Sequence, residues 1–116
     1  MAYTIQHPGD SQKVELLGRN RLMDELLRDN LEVAVPVRDH GIDLIAYADR
    51  AVLSYVARPI QMKAAWARSF AIDRKYEKFP NLIIAYVWNL SDRERAVTYA
   101  LGYMEALRIA DAMGWT

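Results

Sequence analysis

The stretch NLIIAYVWNL, residues 81–90, is apolar at every position from Leu82 to Trp88. It is too short for a buried helix of ordinary length and rich in β-branched and aromatic residues, which predicts a strand. A strand apolar on both faces must be covered on both faces. The economical solution is a sheet with a helix on each side. Downstream, Ser91 with Glu94 three residues later fits a capping box, and Val97, Leu101, Met104 and Leu107 recur at helical spacing. These signals predict a last helix beginning at Ser91 and stopping at Gly114. Upstream, Asp10 and Ser11 can cap a first helix running to about Asn30.

Three further strands are expected between that helix and residue 81: LEVAVPV (31–37), GIDLIAYA (41–48) and AVLSYVARPIQMKAA (51–65), the last bent at Pro59. RDHG (38–41) reads as a turn in which Gly41 can take positive φ. Short connections make these three strands an antiparallel meander. The chain is therefore expected to be a single α/β (α+β) domain over residues 1–116. Its mixed central sheet has about four to five strands flanked by helices, in the order helix, three strands, an irregular basic stretch, strand, helix.

Composition narrows the function. The 116 residues are 53% hydrophobic and 26% charged, enough to bury one core without staples. There is no cysteine, so a thiol nucleophile, a disulfide framework and cysteine-ligated zinc are excluded. The opening MAYTIQHPGDSQK has no apolar core of signal-peptide length, and no apolar run is long enough to span a membrane; a cytoplasmic protein is expected. Net charge is zero, against bulk electrostatic coating of nucleic acid. Residues 58–78, however, hold Arg58, Lys63, Arg68, Arg74, Lys75 and Lys78 against Asp73 and Glu77, a local excess of +4. Such a segment suits a protein that touches phosphates at one place, and a solvated loop as well.

His7 and His40 lack metal-ligand spacing, no glycine-rich phosphate loop is present, and no serine lies in a nucleophile-elbow context. Carboxylate, amide and lysine chemistry remains. Asp43 stands among apolar neighbours and needs a hydrogen-bonding partner or a cation. On a helical wheel Glu15 falls within about 20° of Leu22 and Leu26, which puts an acid on an apolar side, with Gly18 nearby to allow close approach to the sheet. In PIQMKAA (59–65) alternation places Gln61 and Lys63 on one face, followed by small alanines, a pattern that suits a half-exposed strand and equally the lining of a cleft. A carboxylate and an amide carbonyl can supply part of a magnesium octahedron, and a neighbouring ammonium can stabilise a phosphate in reaction.

With Glu15 on the first helix, GIDLIA carrying Asp43 and PIQMKAA carrying Gln61 and Lys63, the chain resembles the PD-(D/E)XK nuclease superfamily, the restriction-endonuclease-like fold. The texture is similar to small uncharacterised bacterial members and, more distantly, to archaeal-type Holliday junction resolvases. The resemblance implies a magnesium-dependent endonuclease acting on DNA, with Mn²⁺ able to substitute, and a homodimer because paired cuts need paired sites. It implies that Asp43 and Gln61 hold the metal, that Lys63 assists attack, and that Glu15 contacts the metal through water. Arg58, Arg68, Arg74, Lys75 and Tyr76 would meet nucleic acid. Gln61 stands where the superfamily usually has an acid, and Glu15 lies about one turn early. A tight hairpin at Asp49 and Arg50 would also set Asp43 near Val56, roughly 17 Å short of Gln61.

Two other functions fit the same residues. One is a nuclease-like module without chemistry that binds nucleic acid or a protein. The other is an assembly protein whose contacts include Trp66, Trp88 and Trp115.

Overall fold

The structure is a computed structural model that describes residues 10–38, 40–51, 54–79 and 81–115; His7 lies outside the described residues. Asp10 caps the first helix, α1 (Ser11–Arg28), by accepting from the Lys13 backbone N–H at 3.0 Å. Asn30, at φ 65°, turns the chain after it. Then come β1 (Glu32–Ala34), β2 (Leu44–Ala51) and β3 (Ser54–Ala64). A 3₁₀ turn (Arg74–Lys78) occupies the basic stretch, followed by β4 (Ile83–Trp88), β5 (Val97–Gly102) and α2 (Tyr103–Met113). The five strands lie in sequence order in one sheet. Only β3 and β4 run parallel; the other neighbours are antiparallel. The architecture is thus the expected α+β fold, a mixed sheet between two helices.

The last helix departs from the sequence reading. It begins at Tyr103, and residues 97–102 form β5. Ser91 caps no helix, because the Asp92 carboxylate accepts from the Glu94 N–H at 3.1 Å and closes a tight turn. Val97, Thr98 and Tyr99 favour the extended state, and pairing them with β4 covers what would otherwise be a long apolar edge. Gly114 does end α2, in the left-handed conformation. The helix buries Tyr103, Ala106, Leu107 and Ala110, whereas Met104 is exposed.

Two cores follow from the alternation. On one face Leu44, Ala46, Ile60, Met62, Ala85 and Val87 pack against Leu22 of α1. Gly18 allows this contact: a Cβ there would stand 2.7 Å from the Ala64 Cβ. On the other face Leu82, Ile84 and Tyr86 pack against Tyr103, Ala106 and Leu107 of α2, with Tyr76 of the 3₁₀ turn. Tyr86 donates to the Ala71 carbonyl at 2.8 Å, and the Trp88 indole donates to the Ser69 carbonyl at 2.7 Å. The β3–β4 crossover is thereby fastened over the α2 face. Among the described residues no helix is long and apolar enough to cross a membrane.

Candidate active site

The register of β2 against β3 decides whether Asp43 and Gln61 meet. The ladder runs on to Ala51 opposite Ser54, with a register shift between Asp49 and Ala51. It therefore passes beyond a turn at Asp49 and Arg50, and puts Ala48 rather than Asp43 across from Val56. Leu44 pairs with Ile60, so Asp43, one residue earlier, arrives beside Gln61. Its backbone N–H donates to the Ile60 carbonyl at 2.8 Å. Its carboxylate Oδ2 accepts from the Met62 N–H at 2.7 Å. The side chain has taken over a ladder bond at the point where β2 parts from β3, which holds a carboxylate against the backbone between Gln61 and Lys63.

Gln61 and Lys63 share the sheet face that α2 covers. Their register partners on β4 are Ile84 and Tyr86, whereas Ile60 and Met62 face α1. Gln61 is only 6% exposed, and its Oε1 has no hydrogen-bond partner. A buried amide oxygen left unpaired is costly, and a cation or a donor brought by substrate would satisfy it. Lys63 is half-buried two residues on. Close by, Gly41 takes φ +98° and lies flat under Tyr76, where a Cβ would come within 2.3 Å of the ring. Tyr76 is therefore buried against the chain just before Asp43 and packs into the α2-side core.

The donor set fits a divalent cation in part. One carboxylate and one unpaired amide oxygen are hard ligands of the kind Mg²⁺ takes, with water and phosphate completing the shell. No group of three or more His, Cys, Asp or Glu suited to a metal occurs among the described residues. A single formal negative charge would hold such a cation only weakly without a phosphate to add ligands.

The remaining expected site residues are dispersed. Glu15 is exposed on α1, whose buried stripe is Val14, Gly18 and Leu22, so the expected apolar placement of the acid does not hold. That helix packs on the face opposite Gln61 and Lys63. Arg58 has the parity of Ile60 and Met62, again the α1 side. Arg74 is held by Asp111 at 2.6 Å and by Glu77 at 3.3 Å, and the Asp111 contact is the main reason its pKa is raised. The Lys75 pKa is raised chiefly by its contact with Tyr76, with Asp73 adding to the effect. His40 is exposed. Arg68 lines a cleft with Arg95, Trp88 and Tyr99. Arg95 escaped the sequence reading because residues 91–102 read as helix.

Compared with protein-family models, with curated proteins and with solved structures, the chain finds no match in any of the three.

Proposed function

We propose that the protein is a metal-dependent endonuclease that hydrolyses phosphodiester bonds in DNA, acting as a cytoplasmic homodimer. The observation that carries this reading is the unpaired, buried Oε1 of Gln61 beside a carboxylate fixed by the Met62 N–H. Asp43 and Gln61 would hold Mg²⁺ or Mn²⁺. When bound, the cation supplies Lewis-acid polarisation of a phosphate oxygen. Lys63 contributes a fixed positive charge two residues from Gln61 on the same face, able to stabilise charge that builds on the phosphate and to orient the attacking water. Asp43 accepts from Met62 through one oxygen and so keeps its carboxylate from rotating away.

Purified protein should nick supercoiled DNA in Mg²⁺ or Mn²⁺. Lys63→Ala should lower the rate by about 10²–10³-fold, the usual effect of removing one preorganised electrostatic group, with an unchanged circular dichroism spectrum. Undiminished cutting by that variant would remove the assignment. A second reading is favoured by Gln61 in place of an acid: a nuclease-like module that binds DNA without cutting it. Salt-dependent binding with no nicking in either metal selects that one.

A further inference from the structure

We propose that a cleft at the β4–β5 end of the sheet seats one unpaired nucleotide of DNA, its base against Trp88 and Tyr99 and its phosphate between Arg68 and Arg95. The cleft, about 490 Å³, is lined by these four residues with Asn89 and Val97. That volume is within the range of small-ligand sites. Its aromatic wall is firm. The Trp88 indole is tied to the Ser69 carbonyl, and Tyr99 meets it edge-on with ring centroids 5.4 Å apart. Tyr99 is 52% exposed and so remains available to a ligand.

The charges point the same way. Among the described residues Arg68 and Arg95 have no ion-pair partner, as is true of Arg19, Arg38, Arg58, Arg93 and Arg108, but these two share one cleft. Among the described residues no acid lines the cleft. Asn89, at φ 61°, donates from Nδ2 to the Arg95 carbonyl at 3.3 Å and holds that turn at the rim. Two uncompensated guanidinium groups beside stacking rings match a phosphate joined to a base whose face is open. Paired bases in a duplex hide their faces; an unpaired nucleotide offers both parts at once. An adjoining recess of about 350 Å³, walled by Phe70 and Trp115, shares Arg68 and Trp88, so the groove continues past the first pocket.

The cleft lies on the Lys63 face. Tyr86 is the register partner of Lys63, and Trp88 is two residues further along β4. Strand geometry separates the Cα atoms of Lys63 and Trp88 by about 8 Å. A single-stranded tail in the groove would therefore lead toward Lys63. This inference rests on the proposed nuclease reading for what the tail is delivered to, but its binding test does not.

Fluorescence anisotropy in chelator would compare a blunt DNA duplex with the same duplex bearing a short oligo(dT) tail. The tail should tighten binding by about tenfold, the scale of one stacked base. Arg95→Ala and Tyr99→Ala, both at exposed positions, should each erase most of that preference without changing the circular dichroism spectrum. Equal affinity for blunt and tailed DNA, or a preference untouched in both variants, overturns the proposal. Tail preference without metal-dependent nicking upholds the cleft and removes the nuclease reading; nicking without tail preference does the reverse.

Discussion

Asp43 has a structural role in the sheet beside the chemical one proposed for it. It replaces a strand carbonyl for the Met62 N–H, and the same bond holds its carboxylate against the backbone between Gln61 and Lys63. Its apolar neighbours showed in the sequence that it needed a partner; that the partner is a backbone N–H two strand positions past Ile60 did not. Gln61 gives a direct test of the oxygen pair. Gln61→Glu would bury a second carboxylate near the first, so the variant should be less stable than the parent in chelator. Mg²⁺ or Mn²⁺ should then raise its melting temperature by more than it raises the parent's, in a thermal denaturation series. Equal shifts would count against a cation there. Tyr86, the register partner of Lys63, gives a pH signature. Burial pushes its pKa up from 10.0 to about 12. The unfolded chain loses this proton first, so stability should fall as pH rises from 10 to about 12, by up to about 1.4 kcal/mol per unit. Urea titrations across that window should show a shallower fall for Tyr86→Phe.

Elements were legible where one period dominated. Asp10 and the apolar spacing after it marked α1, β-branched and alternating runs marked β1 to β3, and a continuous apolar run marked β4. Residues 97–107 carried two periods at once, helical through Val97, Leu101, Met104 and Leu107, alternating through Val97, Tyr99 and Leu101. Pairing with β4 resolved the conflict, since an unpaired β4 edge would leave backbone groups and apolar side chains unsatisfied. The α1–β3 contact is a second decision at this scale. Gly18 lets the helix approach until only 2.7 Å would separate an added Cβ from that of Ala64, which is attached directly to backbone and cannot swing aside. Gly18→Ala should thus lower unfolding free energy by about 1–2 kcal/mol, overpacking outweighing the gain of about 1 kcal/mol in helix propensity. A stabilised variant in chemical denaturation would mean that the helix can slide.

At the scale of the molecule, the basic segment does not act as one patch. Arg58 goes to the α1 side, while Arg74 and Lys75 are taken up by Asp111, Glu77 and Asp73. Lys63 and Arg68 remain on the α2 side, joined there by Arg95 from outside the segment. With about three phosphate contacts, the logarithm of DNA affinity should fall against the logarithm of salt with a slope near −2 to −3. A slope several times steeper would require a basic surface elsewhere. That residues 81–90 need cover on both faces follows from their composition, and the sheet with its flanking helices follows from that need; the polar residues set among apolar ones are visible there too. Which of those residues meet is a matter of the folded chain. Whether Asp43 reaches Gln61 depends on where a hairpin turns and on a register shift, and whether Glu15 or Arg58 shares their face depends on which side a helix packs. Those choices are made by pairing and packing between segments distant along the chain, whose energies no local window of residues contains.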